Sequence, residues 1–228
     1  MEDMFIEYGL IILSTIIALF AQFYIKHNYK KYSKKQNVTG VNGYEAARKI
    51  LDSNGLEYVG INMVNGELSD HYDPKNKTVN LSSDIYNNNS IASVSVAAHE
   101  CGHAIQDKDG YTFLRIRRSI LPIVNVASYS GYYAVLIGLF FSLPVLIKVG
   151  IIMELILLFF QLVTLPVEFN ASKRGLKQIK ELGLLENNEN YGARKMLTSA
   201  ALTYVAGVAN AVIQVLRLVL IINRRRRD

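Results

Sequence analysis

Hydrophobic residues in this chain are concentrated in long runs that charged stretches separate. The first run, Tyr8–Ile25, is 18 residues long and contains no charged side chain. A second region, Leu121–Ile147 and Val149–Val167, is interrupted by Lys148, and a third run covers Ala200–Ile222. Because a helix needs about 20 apolar residues to cross the hydrocarbon core of a bilayer, these runs predict helices that contact or cross a membrane.

The first run predicts an uncleaved N-terminal anchor over residues 5–25. Signal peptides carry positive charge before the apolar run and a small-residue cleavage site after it. Here the leader, MEDMFIE, is acidic, and Lys26 follows the run. Since lysine and arginine favour the cytoplasmic side, the N-terminus is expected outside.

The second region predicts a transmembrane hairpin over residues 119–167. Lys148 interrupts it, and Pro144 and Gly150 loosen it, so a tight turn is expected there. Basic clusters at Arg115–Arg118 and Lys173–Lys180 lie at its two ends. Both ends are therefore expected in the cytoplasm, and a soluble chain of this length could hardly bury two such helices on all sides.

The last segment, residues 200–228, predicts an apolar helix with a basic tail. It contains Asn210, Gln214 and Arg217 and ends in four arginines and an aspartate. If the helix crosses the membrane, the arginines lie outside, against the positive-inside tendency. If it lies along the interface they stay inside, and in a third arrangement its N-terminal half packs on the soluble region.

The segments between the runs, residues 26–118 and 168–199, predict one cytoplasmic region of the α+β class in a mainly helical protein. A helix is expected from Gly43, with Asn42 as its cap, Glu45 three residues on and Gly55 as its stop. Short strands follow it. Asn65-Gly66 is the strongest β-hairpin signal in the chain.

A second turn is expected at Pro74 and Asn76, and a longer helix at about residues 90–107. That helix contains the sequence SVAAHECGHAIQ, in which His99 and His103 are four residues apart. Residues at this spacing share one helix face, so both imidazoles can reach one metal ion. Glu100 would lie beside the ion as a general base. Two ligands and a base are the roles of the three defined residues in an H-E-x-x-H motif.

Ordinary helix-surface residues are the simpler interpretation of these three side chains. The surrounding sequence is apolar, however, and burying ionisable groups is costly unless something binds them. A metal site is therefore favoured. Its third ligand is predicted to be Glu168, where the hairpin returns the chain to the cytoplasm. Glu154 is the rival, but it should lie at membrane depth.

Composition narrows the class of protein further. The chain has 228 residues, a formal net charge of +6 and a single cysteine, which excludes an internal disulfide. The basic clusters lie beside apolar runs, which is typical of a membrane edge, and nucleic-acid binding is not expected.

Five segments in order resemble the YugP-like neutral zinc metallopeptidases of bacterial membranes: GYEAARKILDSNGLE, GELSDHYDPKNKTVNLS, SVAAHECGHAIQ, LPVEFNASKR and AALTYVAG. The family is similar, more distantly, to the HtpX-like and prenyl-protein-processing membrane gluzincins. The resemblance implies one Zn²⁺ per chain, held by His99, His103 and Glu168, with Glu100 as the catalytic base. Ser172 departs from the distant relatives, which have aspartate there.

The same resemblance implies an edge strand ahead of the zinc helix that holds the substrate backbone. His71, Tyr72 or Tyr204 could then contact the scissile carbonyl oxygen. A local turn contact is the alternative role of His71.

The sequence thus predicts a multi-pass zinc endopeptidase of the cell membrane, acting on unfolded or membrane-proximal proteins at the cytoplasmic face. An intramembrane protease is excluded because the apolar part of the zinc helix, Ile91–Ala98, is too short to cross. A non-catalytic scaffold or assembly factor that contains zinc is the alternative. A structural zinc site normally has four protein ligands, which argues against that alternative.

Overall fold

The computed structural model describes residues 2–225, which form seven helices and three strands. The helices are α1 (Glu2–Ser33), α2 (Gly43–Ser53), α3 (Ser83–Asn87), α4 (Ile91–Lys108), α5 (Thr112–Phe140), α6 (Pro144–Glu181) and α7 (Asn190–Arg225). The strands are β1 (Gly60–Val64), β2 (His71–Asp73) and β3 (Thr78–Ser82). The expected mainly helical architecture with a small sheet is therefore observed. The side chains of the four terminal arginines lie outside the described part of the chain.

The chain divides into two compact units. One, which we call the mixed unit, consists of Phe23–Arg115 and Pro166–Leu202 and contains the sheet. The other, which we call the apolar unit, consists of the described residues of Met1–Gln22, Ile116–Leu165 and Thr203–Asp228.

Helix α2 forms as its sequence predicts and supplies part of the core of the mixed unit. The Asn42 side chain accepts a hydrogen bond from the Glu45 amide at 2.8 Å, and the Glu45 carboxylate accepts one from the Asn42 amide at 3.1 Å. This reciprocal pair satisfies two amides that the first turn would otherwise leave unpaired. Ile50 and Leu51 are fully buried, in a core that includes residues of α4.

The sheet has the strand order β1-β3-β2, with β1 parallel and β2 antiparallel to β3. Strand β3 takes the centre because Val79 and Leu81 are its fully buried residues, while the polar strand β2 remains at an edge. The turn predicted at Pro74 and Asn76 does connect β2 to β3.

The β-hairpin predicted at Asn65-Gly66 is wrong. These residues begin the connection from β1 to β2, two strands that do not pair with each other. Gly66 has the expected positive φ of 101°, so the local turn signal is real. However, β3 lies between the two strands, because burial of its apolar side chains outweighs the turn preference.

The predicted break at Lys148 and Gly150 is also wrong, because the turn between α5 and α6 lies at residues 141–143. Pro144 is the first residue of α6, a position where its missing amide hydrogen costs nothing. Lys148 lies within α6, since lysine is a good helix former. Gly150 is also helical, and a side chain there would overlap Val135 of α5.

Among residues 2–225, four helices are long and apolar enough to cross a membrane: Phe5–Ser33, Thr112–Phe140, Pro144–Glu181 and Asn190–Asn223. The fourth of these helices, α7, begins at Asn190, ten residues before the predicted start at Ala200. Within the four most apolar windows, only 6 to 28% of the residues are buried. Their apolar side chains therefore face outward, as those of membrane helices do.

Candidate metal centre

Helix α4 carries the two histidines. Ser90 caps it, its hydroxyl oxygen accepting a hydrogen bond from the Ser93 amide at 3.0 Å. His99 and His103 project from one face, and their rings meet edge to face with centroids 4.8 Å apart. His103 is buried and His99 is partly buried, so the pair lies at the boundary of the core.

Glu168 reaches the histidines because α4 and α6 pack with their backbones in contact. A side chain at Gly102 would overlap the Ala171 carbonyl oxygen, and one at Gly175 would lie 2.7 Å from the Ala98 carbonyl oxygen. Only glycine permits such an approach. These two glycines, which the motif alone did not indicate, therefore place the α6 carboxylate against the α4 imidazoles.

The three side chains form a set that fits a zinc ion. Glu168 Oε2 lies 3.3 Å from His99 Nε2 and 3.5 Å from His103 Nε2, and one ligand atom from each residue falls within 4.8 Å of the others. Tetrahedral zinc with bonds of about 2.0–2.1 Å separates its ligand atoms by about 3.3–3.4 Å. Two imidazoles and one carboxylate also match the three-ligand sets that leave a fourth position for water.

The other ring nitrogen of each histidine has a partner. Ser172 Oγ lies 3.1 Å from His99 Nδ1, and Gln106 Oε1 lies 3.0 Å from His103 Nδ1. When each Nδ1–H donates to these oxygens, each Nε2 presents its lone pair on the side of Glu168. Ser172 thus contacts one of the predicted ligands directly.

Gln106 connects the two helices of the site and was missed in the sequence. Its side-chain nitrogen donates to the Val167 carbonyl oxygen at 2.8 Å and to Asn170 Oδ1 at 3.0 Å. Asp107 and Asp109, which also follow His103 closely in the sequence, have other partners. Asp107 accepts from Tyr72 and Lys77, and Asp109 pairs with Arg174. The sequence feature that indicates a contact between Gln106 and His103 is their spacing of three residues on one helix.

The electrostatics of the site favour a bound cation. Burial disfavours a charged His103, but the Glu168 and Glu100 carboxylates outweigh burial and raise the pKa of that imidazole. Glu168 is 2% exposed, which would be costly for an unpaired carboxylate. A metal ion bound here would place positive charge beside both carboxylates.

Glu100 is 7% exposed and follows His99 on α4. A second carboxyl, that of Asp70, lies near enough to be influenced by it. Burial raises the pKa of Asp70, hydrogen bonds from Ser82 partly offset that rise, and the Glu100 charge adds to it. The Asp70 carboxyl accepts hydrogen bonds from the amide and the hydroxyl of Ser82, at the end of β3.

The remaining predicted residues are distributed as follows. His71, at the start of edge strand β2, has Nδ1 2.8 Å from the Ser69 carbonyl oxygen and Nε2 3.3 Å from Asn80 Nδ2, so the local contact is present. Tyr204 and the rival ligand Glu154 both belong to the apolar unit. There, Glu154 lines a cavity with Asn210 and Gln214.

Fold and site together indicate a membrane-associated protein in which two histidines and a glutamate could hold a metal ion. The family model described as "Putative neutral zinc metallopeptidase" matches residues 7–223. The "Putative membrane protease YugP" of Bacillus subtilis (strain 168) is 46% identical over 216 residues, which cover 93% of this chain and 96% of that protein. No solved structure matches the chain. The chain belongs to this zinc metallopeptidase family, as its motifs predicted.

Proposed function

We propose that this protein is a membrane-anchored, gluzincin-like zinc metalloendopeptidase that hydrolyses peptide bonds of unfolded or membrane-proximal proteins. The observation that carries the proposal is the convergence of two imidazoles and one carboxylate beside a buried glutamate on the same helix. A structural zinc site has little need of that fourth side chain.

His99, His103 and Glu168 would hold one zinc ion. Zinc bound by this set would act as a Lewis acid that polarises the scissile carbonyl and lowers the pKa of a water molecule towards about 7. Ser172 and Gln106 would keep the imidazoles in the tautomer and orientation that ligation requires.

Glu100 would serve as the general base and then the general acid. Its carboxylate would take a proton from the attacking water, so that the oxygen adds to the scissile carbonyl carbon. The same proton would pass to the amide nitrogen as the C–N bond breaks, and transfer of the remaining hydroxyl proton to the amine leaves a carboxylate and an ammonium group.

Edge strand β2 is the proposed docking element for the substrate backbone. An extended peptide can add to an open sheet edge through main-chain hydrogen bonds, with no demand on its sequence. Tyr72 on this strand donates to Asp107 of α4 at 2.9 Å, which connects the edge to the zinc helix. His71 and Tyr204 remain candidates for stabilising the oxyanion.

The proposed topology follows from the basic clusters. Residues 5–25 and 119–167 would span the membrane, and residues 26–118 and 168–199 would form the cytoplasmic catalytic region. Residues 200–228 would either cross the membrane or lie along its interface with water. The bilayer and the substrate proteins are the proposed partners, and the active site would face the cytoplasm.

The test compares detergent-purified native protein, Glu100→Gln and the control Glu57→Gln, an exposed glutamate on the same unit. Cleavage of unfolded casein and bound zinc are measured together. We expect the native and control proteins to cleave, and Glu100→Gln to lose at least about a hundredfold in rate with zinc retained. Equal activity in all three would remove Glu100 from the mechanism. Zinc binding without cleavage in any form would favour the non-catalytic scaffold.

A further inference from the structure

A groove of about 430 Å³ lies in the mixed unit between α6 and α7. Its floor is apolar and consists of Phe169, Leu176, Leu197 and Ala201. Phe169 is 46% exposed, a large fraction for an aromatic ring without a polar group. An open apolar surface of this kind fits a ligand that is itself partly apolar.

The rim of the same groove is basic. It carries Lys173, Lys177, Lys180 and Arg194. Of these, Lys177 has an acidic neighbour, Glu181, at 3.6 Å. None of the described residues that line the groove is acidic, so the rim has a net positive charge. The groove therefore combines an apolar floor with a site for an anion.

Lys173 and Arg194 lie just beyond the lipid headgroups if the apolar runs cross a bilayer, and their long side chains can reach back into that layer. Lys173 follows Val167, the last residue of the α6 apolar run, by six positions, and Arg194 precedes Ala200, the first residue of the α7 run, by six. At 1.5 Å per residue each lies about 9 Å beyond its run. The headgroup layer extends about 5–8 Å beyond the hydrocarbon on each side.

We propose that this groove binds an anionic phospholipid, with the headgroup phosphate at the basic rim and an acyl chain on the apolar floor. Basic pockets between helices at the cytoplasmic edge of a membrane suit such headgroups. A free phosphate would leave the floor uncovered. An acidic peptide would leave the apolar floor facing charged side chains.

The groove adjoins the metal centre but differs from it. Ser172 lines the groove and approaches His99 at Nδ1, whereas Glu168 approaches the same ring at Nε2. A lipid in the groove therefore contacts the residue that orients a ligand without occupying the metal position. Its binding can be measured whether or not the protein is a peptidase.

The test measures lipid adducts of the full-length, detergent-purified protein by native mass spectrometry. Phosphatidylglycerol and phosphatidylcholine with identical acyl chains are titrated separately. Lys173→Gln/Arg194→Gln removes two rim charges, and Lys49→Gln/Lys75→Gln removes two exposed charges elsewhere on the mixed unit. Zinc content and circular dichroism establish that each variant is folded.

We expect phosphatidylglycerol to bind about tenfold more tightly than phosphatidylcholine, and the groove variant alone to lose that preference. Equal binding of the two lipids, or equal loss in both variants, would overturn the proposal. So would displacement of the lipid by an equal concentration of inorganic phosphate, which would indicate a simple anion site. Displacement by polyglutamate would indicate an acidic-peptide site and would overturn it as well.

Discussion

In the mixed unit many large apolar side chains are buried in a core, whereas in the apolar unit many of them lie on the surface. Ile50, Leu51 and Leu81 of the mixed unit are fully buried, while Tyr129 and Phe140 of the apolar unit are 74 and 83% exposed. A soluble protein could not present such a surface to water without aggregating. The two units are therefore suited to two different solvents.

The polar side chains of the two units differ in the same way. In the apolar unit the hydroxyls of Ser14, Thr15, Ser128 and Ser130 each donate to a carbonyl three or four residues back in their own helix. In the mixed unit Ser172 and Gln106 make contacts between helices that are distant in sequence. Local bonds keep polar groups satisfied inside a bilayer, and long-range bonds position a site.

The largest expected effect comes from placing a charge on each surface. Ile152 of the apolar unit is 56% exposed and Val38 of the mixed unit is 66% exposed. At a surface that faces water, Ile152→Lys and Val38→Lys would each lower the free energy of unfolding by less than about 0.5 kcal/mol. In a bilayer Ile152→Lys should cost about 3 kcal/mol, measured by folded yield and thermal unfolding in nanodiscs. Equal tolerance of the two variants would mean that α6 does not contact lipid there.

A Gly→Ala substitution should affect the free energy of unfolding differently in the two units. Gly102→Ala should destabilise the protein by about 1–3 kcal/mol and lower its zinc content, because the new methyl group forces α4 away from α6. Gly9→Ala meets no atom within 4 Å and should be neutral or stabilising by up to about 1 kcal/mol. Thermal unfolding and metal analysis measure both. Normal zinc binding by Gly102→Ala would show that close helix contact is not required.

The smallest effect is expected from removing a single serine hydroxyl in each unit, with zinc affinity as the measured property. Ser172→Ala removes the contact to His99 Nδ1 and should weaken zinc binding by about tenfold, as loss of such an orienting contact does in other metal sites. Ser14→Ala removes a bond within α1 and should leave zinc affinity unchanged. Competition with a fluorescent chelator gives both values. Equal affinity in the two variants would assign the orientation of His99 to packing alone.

The local elements could be predicted from the sequence because their determinants are local. Asn42 and Glu45 cap α2 as expected, and the spacing of His99 and His103 places them on one helix face. The strand order could not be predicted in this way. The turn residues Asn65 and Gly66 indicate a bend, but burial of β3 determines which strands are neighbours.

By itself, the sequence determined the apolar runs, the capped helices and the H-E-x-x-H motif, because each depends on residues close to one another in the chain. Only the tertiary structure decided that Glu168 lies against the histidines and that Ser172 contacts the outer nitrogen of His99. Those contacts join residues more than 60 positions apart through helices that meet at Gly102 and Gly175. No pattern of neighbouring residues encodes such an approach, since it depends on how two whole helices pack.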